Sequence, residues 1–356
     1  MIYLDYQATT PLAPEAREAM LPWLGGPESN GFGNPHSAHR LGRMAAAAVE
    51  LAREQVAALL PAGGRVIFTS GATEALNLAI KGCGAKRIAA SAIEHAAVLD
   101  CIEALGGEVL PVGSEGVFDP DSALPAGIGL VALMHVNNEV GTIQPVARVA
   151  ERARTAGALV LCDAVQGYGR LPLPEGPDLI AISAHKIHGP KGIGALWLRD
   201  GVALAPLIHG GGQEQGLRSG TLSPALCAGF GAAAQLARQR MSEDAAHLET
   251  LWHRARALFA GWTLNGTVEQ RYHGNLNLRR EGLDVARLMS DVREVMFSAG
   301  SACASGSGRP SHVLRAIGLT EAQAKSSIRL GFGRYTTLAE LERAAELIND
   351  AAAQQG

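Results

Sequence analysis

Lys186, Asp163 and His95 each follow a short apolar run, and each is a residue type that can do chemistry from such a place. Lys186 comes after Leu179 to Ser183 and leads into the loop Gly189-Pro190-Lys191-Gly192. An amine drawn out of water loses its proton readily and becomes a nucleophile able to form a Schiff base. Asp163 closes the apolar run Ala158 to Cys162, where an unpaired carboxylate is costly. A protonated ring nitrogen would meet its charge, and so would a neighbouring arginine. His95 follows Ser91 through Ala92-Ile93-Glu94; an imidazole there either stacks on a flat heterocycle and passes protons or serves the structure alone. After Phe68 and Thr69, the small residues Ser70-Gly71-Ala72-Thr73 let backbone N–H groups approach an anion where a helix starts, which makes a phosphate seat. Read plainly, the same residues are a strand–turn–helix capped by Thr73. Asn137 and Asn138 offer amides to a phenolic oxygen or a carboxylate, or simply turn the chain, and Ser183 and His185 add donors beside Lys186.

None of these decides the matter alone. Together they supply a phosphate seat, a ring-stacking histidine, an aspartate for a ring nitrogen and a lysine for an aldehyde. Those are the parts a pyridoxal 5'-phosphate (PLP) site needs.

The elements that must hold these residues follow from periodicity. Ala38 to Leu60 reads as a helix, and strands are expected at Arg65–Thr69, Arg87–Ser91, Glu108–Val112, Gly129–Val136, Ala158–Cys162, Leu179–Ser183 and Ala195–Leu198, with helices between most of them. Short apolar strands alternating with helices mean an α/β fold whose mainly parallel sheet is covered on both faces. Ligands of such sheets gather beyond the carboxyl ends of the strands, where the reactive residues lie. A long helix from Asp244 to Ala260 marks a joint, and the remainder reads as a smaller α+β domain with a strand near Leu276 to Leu278, a strand at Ser327 to Leu330 and a helix from Leu338. The expected division is 14–247 for the large PLP-binding domain, and 1–13 with 248–356 for the small one.

Composition excludes several functions. The net charge is −3 without a basic block, which argues against nucleic acid as a partner. No apolar run reaches the ~20 residues that span a bilayer, and Met1 to Tyr6 lacks the features of a signal peptide. The five cysteines are scattered, so neither a disulfide framework nor a zinc site is expected; the histidines show no metal spacing, and a reducing cytoplasm fits best.

From Tyr3-Leu4-Asp5-Tyr6-Gln7-Ala8-Thr9-Thr10 to Arg329-Leu330-Gly331-Phe332-Gly333-Arg334 the chain resembles the cysteine desulfurases, a branch of the class V, fold-type I PLP enzymes. Matching stretches include Gly33-Asn34-Pro35, Thr69 to Glu74, Glu94-His95, His135 to Gly141, Asp163 with Gln166, His185-Lys186, Arg218-Ser219-Gly220-Thr221 and Ser298 to Cys303. The resemblance implies that L-cysteine is converted to L-alanine, with the sulfur captured as a persulfide on Cys303 and passed to a protein acceptor or iron–sulfur scaffold. It implies that Lys186 holds PLP as an internal aldimine and removes the Cα proton, that His95 stacks on the ring and helps move protons, and that Asp163 pairs with the ring nitrogen. Gln166 and Asn138 would contact the ring oxygen and the substrate side; Ala72, Thr73, Ser183 and His185 would bind phosphate. Thr221 would reach the phosphate of the other subunit of a homodimer. Arg329, with Asn34 and Asn138, would bind substrate, Arg329 by its carboxylate. The Gly/Ser-rich surroundings of Cys303 match the long-loop branch.

Gly167 stands where a serine commonly follows the glutamine, which would loosen one phosphate or backbone contact. Cys162 is unusual beside the aspartate and reads as core packing or as a second thiol near the ring. The chain stops at Gly356, where longer relatives carry a tail that docks the scaffold, so the acceptor stays open. Another class V enzyme, an aminotransferase or selenocysteine lyase, is the rival reading; an aminotransferase has no need of Cys303.

Overall fold

The computed structural model describes residues 1–300 and 311–355. In chain order its strands are β1 (Ile2–Tyr3), β2 (Gly64–Thr69), β3 (Ile88–Ser91), β4 (Glu108–Leu110), β5 (Leu130–Ala132), β6 (Leu159–Asp163), β7 (Leu179–Ser183), β8 (Gly194–Arg199), β9 (Thr263–Leu264), β10 (Asn275–Arg279), β11 (Val295–Met296), β12 (Ser298–Ala299) and β13 (Ser327–Gly331). A seven-stranded sheet has the order β2-β8-β7-β6-β5-β3-β4. The strands from β7 to β4 pair parallel, and β8 is antiparallel to both of its neighbours. This is the mainly parallel α/β sheet expected from the alternation of apolar runs and helices.

Both faces of the sheet are buried, and alternate residues of one strand fill opposite cores. Val160 and Cys162 pack with Val66, Phe68, Ile180, Ile182 and Phe230. Leu161, between them, packs with Leu76, Ala90, Leu130, Leu179 and Leu196. Cys162 is therefore core packing.

The expected strand at 129–136 is shorter as a ladder, but its chain keeps bonding to β6: Leu133 N–H donates to Leu161 (3.0 Å) and His135 N–H to Asp163 (2.9 Å). Those two bonds carry Asn137 and Asn138 to the end of β6. The long joint helix runs from Pro224 to Leu258 and starts twenty residues before the expected Asp244. Its opening stretch, from Pro224 to Ala234, is rich in Ala and Gly, has no exposed residue and so shows no polar stripe. Glycine is required there: a Cβ on Gly231 would lie 2.3 Å from Gln55 Oε1 and 2.8 Å from Ala52 Cα, on the helix Arg40–Ala57.

The remaining strands build a smaller antiparallel sheet, β12-β13-β10-β9, and a parallel pair, β1-β11. A separate apolar cluster joins Ile2 and Leu4 to Leu251, Leu276, Leu330, Phe332 and Ile348. The N-terminal strand thus belongs to this second core, with the terminal helix Leu338–Ala353 packed over it.

Candidate active site

At the carboxyl ends of the parallel strands lies a cavity of about 460 Å³, within the range of ordinary ligand pockets. Ten residues singled out in the sequence line it: Ala72, Thr73, His95, Asn138, Asp163, Gln166, Ser183, His185, Lys186 and Arg329.

Lys186 is placed by the turn that ends β7, Ala184–Lys186. The N-terminal segment is zipped along this turn. Thr10 N–H and Oγ1–H donate to the His185 carbonyl (3.0 and 2.9 Å), and Ala13 N–H to that of His188 (2.9 Å). His188 N–H donates to Thr10 Oγ1 (2.7 Å), and these bonds hold His188 in a left-handed backbone at φ 68°. Such a conformation stores about 1–3 kcal/mol and persists only when its surroundings over-determine it. The Lys186 ammonium reaches back to the carbonyls of Gln7 (2.6 Å) and Ala8 (2.7 Å).

Asp163 ends β6 and is buried, with Oδ1 accepting from Val165 N–H (3.0 Å). Burial pushes its carboxyl above the usual range, while His95 and Lys186 pull the other way. Among the described residues no arginine pairs with Asp163, which speaks against the salt-bridge reading. His95 caps the helix Ala96–Ala104, its Nδ1 accepting from Ala97 N–H (3.1 Å). That bond puts the proton of the neutral ring on Nε2. Burial holds His95 below its ordinary pKa, against the pull of Asp163.

The helix after β2 starts at Ala72, with Gly71 at the cap and no side-chain cap bond. Thr73 is therefore not the cap, and the uncapped first turn lines the cavity through Gly71, Ala72 and Thr73. A Cβ on Gly71 would meet nothing within 4 Å, so the seat is open. Glu74 would repel an anion here, but it is engaged. Burial opposes its charge, yet bonds from Arg218 (2.7 and 3.2 Å) and Ser70 N–H (2.7 Å) hold its carboxyl below the usual range. His185, bonded through Nδ1 to Thr9 Oγ1 (3.1 Å), is pushed down to about 4 by burial and by Lys186, Lys191 and Arg170. An uncapped helix start, an amine, an acid awaiting a cation and a neutral imidazole are the donor set that PLP needs, and the residues present fit it.

Arg329 is fully buried on β13. It pairs with Asp5 (2.7 Å), donates to Ser298 Oγ (3.2 Å) and to the Asn138 carbonyl (3.0 Å), and leaves Nε without a partner among the described residues. Asn34 and Thr221 are exposed and do not line the cavity of their own chain. Asn34 instead turns its own loop, Oδ1 accepting from His36 N–H (2.9 Å). Cys303 lies outside the described residues. Gln7, Ala8, Met134 and Lys191 line the cavity without having been singled out. Gln7 and Lys191 stood in quoted motifs, but nothing local shows that the N-terminus folds across the strand ends. At Gly167 a Cβ would lie 2.0 Å from His135 Nδ1, so the missing side chain makes room for that ring.

Residues 2–344 match the family model Aminotransferase class-V. The chain is 43% identical to the Cysteine desulfurase IscS of Rickettsia bellii and 42% to that of Rickettsia rickettsii, each across 98% of this chain and 90% of the relative. Among solved structures, one described as a NifS-like protein superposes with a TM-score of 0.90 at 32% identity, covering 99% of both chains. A NifS-like protein from Rickettsia africae superposes with a TM-score of 0.88 at 29% identity, also covering 99% of both.

Proposed function

The chain belongs to the class V aminotransferase family, in its cysteine desulfurase branch, and from that premise we propose how its residues share the work of taking sulfur from cysteine. It is a PLP-dependent cysteine desulfurase of the fold-type I class, acting on cysteine and handing sulfur to an acceptor. When bound, PLP supplies an electron sink for the pair released as the substrate loses its Cα proton. Ala72, Thr73, Ser183 and His185 would hold the phosphate. Asp163 would meet the ring nitrogen, which would relieve its buried charge, and His95 would lie over the ring. Gln166 and Asn138 would face the ring oxygen and the substrate. Lys186 Nζ would be the covalent anchor and would then accept the Cα proton. Arg329 grips the substrate carboxylate with its fork, pre-set by Asp5 and Ser298.

The sulfur acceptor within the chain is Cys303. A nucleophilic thiol must ionise near neutral pH. Burial pushes the thiols of Cys83, Cys101 and Cys162 up, and that of Cys227 to about 12, so each of the four is poorly suited. The Cys303 thiolate would attack the substrate sulfur; the sulfur's bond to Cβ would break with its electron pair going to Cβ, which would take up a proton, so that Cys303 keeps the sulfur as a persulfide and alanine leaves. An iron–sulfur scaffold or another thiol protein then takes it. Thr221 is exposed on its loop, which supports a homodimer in which it serves the other copy. The free thiols support a cytoplasmic setting. Two apolar clusters that divide broadly at these bounds, with Ala13 in the first and Val136 in the second, support domains at 14–247 and at 1–13 with 248–356.

The convergence of ten expected residues on one cavity carries this reading. The PLP-loaded protein, given cysteine and a reductant, should release alanine and sulfide in equal amounts. Cys303→Ser should still change colour with cysteine but release no sulfide. Sulfide at the parent rate from Cys303→Ser would remove Cys303 from the reaction.

A further inference from the structure

Arg170 does not line the cavity, yet it sits behind two residues that do. Its Nη1 donates to Gln166 Oε1 at 2.7 Å. Its Nη2 donates to the main-chain carbonyls of Lys186 and Tyr6, the latter at 3.3 Å. The guanidinium lies over the Tyr272 ring, 5.5 Å from its centre. The circuit closes on the far side at one carbonyl, that of Gln7, which accepts from Gln166 Nε2 (2.9 Å) and from the Lys186 ammonium (2.6 Å).

This circuit determines which way the Gln166 amide points. A guanidinium can only donate, so the amide atom facing Arg170 must be oxygen; a carbonyl can only accept, so the atom facing Gln7 must be nitrogen. With both ends fixed, the second amide hydrogen is left for a group in the cavity. Turned over, the same amide would present an oxygen to any oxygen of a ligand and repel it. The other arm of the fork sets the main chain of Lys186, from which the reactive amine extends.

We propose that Arg170 is a positioning residue that holds the donor side of the Gln166 amide toward the cofactor ring and pins the root of Lys186. This rests on the reading that Gln166 faces the ring oxygen. A lysine in its place would reach either Gln166 or the carbonyls, but not both.

The test uses full-length parent, Gln166→Ala, Arg170→Met, Arg170→Lys and the double variant Arg170→Met/Gln166→Ala. Two quantities are read: the pH midpoint of the visible band of the PLP-loaded proteins, and the dissociation constant from titrating PLP into the apoproteins. Arg170→Met should move the midpoint in the same direction as Gln166→Ala, by roughly half a pH unit or more, and weaken PLP binding about tenfold. In the double variant it should add nothing to the midpoint shift of Gln166→Ala, because it acts through that amide. Arg170→Lys should fall between parent and Gln166→Ala, and it carries the test if Arg170→Met does not fold. A parental midpoint in Arg170→Met or Arg170→Lys, or a full extra shift in the double variant, overturns the role of Arg170. An unmoved midpoint in Gln166→Ala overturns instead the placing of Gln166 at the ring, and the proposal falls with it.

Discussion

The two walls of the cavity treat buried charge in opposite ways. On the wall made by strand ends of the large sheet, Asp163 and, buried outside the lining beside His95 and Met134, Glu94 are carboxyls that burial makes weaker acids. Asp163 accepts from Val165 N–H, and Glu94 from Ser91 and the Met134 N–H, with Glu94 Oε2 left without a partner among the described residues. On the wall made by β12 and β13, Arg329 is just as deeply buried, but it is paired with Asp5 and bonded to Ser298 and the Asn138 carbonyl. Among the described residues no arginine pairs with the carboxyls of the first wall, which a cationic ligand would compensate, whereas the arginine of the second already has its counter-ion in Asp5. Cofactor affinity should therefore report on the first wall and conformational stability on the second.

The variant with the largest expected effect is Lys186→Ala, which removes the anchor and the proton acceptor together. Alanine formation should fall about 10⁴-fold or more, while the unfolding midpoint in urea stays close to that of the parent. Turnover within about tenfold of the parent would remove Lys186 from the mechanism. Asp163→Asn comes next and separates the walls. Turnover should fall about 10²–10³-fold for want of a charge at the ring nitrogen. The apoprotein should be at least as stable at pH 7, since a carboxylate that burial disfavours is gone. A clear loss of apoprotein stability would show that Asp163 is already compensated, and the contrast would fail.

The first wall was the more legible from sequence. A residue that ends a buried parallel strand is announced by the apolar run before it, so Asp163, Ser183 and Lys186 were found by local pattern. The start of the helix at Ala72 was legible too, though its cap was not: Thr73 looked like one, and Gly71 holds the position with no side chain. The second wall depends on pairings across long separations. Arg329 meets Asp5 from the far end of the chain, and Gln7 crosses to Lys186 and Gln166. No period or spacing encodes such meetings, and resemblance alone pointed to Arg329. Asn34 and Thr221 came from the same source, and a single chain does not bring them to the cavity.

On the second wall, breaking the pair should lower stability directly. Asp5→Asn leaves a buried guanidinium uncompensated, and unfolding in urea should show a loss of about 3–5 kcal/mol. KM for cysteine should rise more than kcat falls, because the fork that meets the carboxylate loses its support. Combining Asp5→Asn with Arg329→Met should lose less stability than the sum of the two single changes, since no charge is then left unpaired. Full additivity would mean that the two residues do not act as a pair.

Turnover should change least in Glu94→Gln, whose effect is a pH dependence. Burial pushes the Glu94 carboxyl up to about 8, above its ordinary 4.5. Between those values the native protein keeps a proton that the unfolded chain has released, so native protein binds more protons and stability falls as pH rises. Below about 4.5 both states are protonated and above 8 both are ionised, so the loss is confined to that window. Glutamine carries no charge to bury and can still accept from Ser91 and Met134 N–H through its oxygen. Urea unfolding of the apoprotein from pH 5 to 8 should therefore give a flatter curve for Glu94→Gln, with a gain that grows to a few kcal/mol at the alkaline end. His135, pushed down to about 4 by burial, acts in the opposite sense below its ordinary 6.5, where stability is lost as pH falls; comparison above pH 6.5 keeps the two apart. Parallel curves for parent and Glu94→Gln would mean that this carboxyl finds a cation in solution, and the first wall would then be as self-contained as the second.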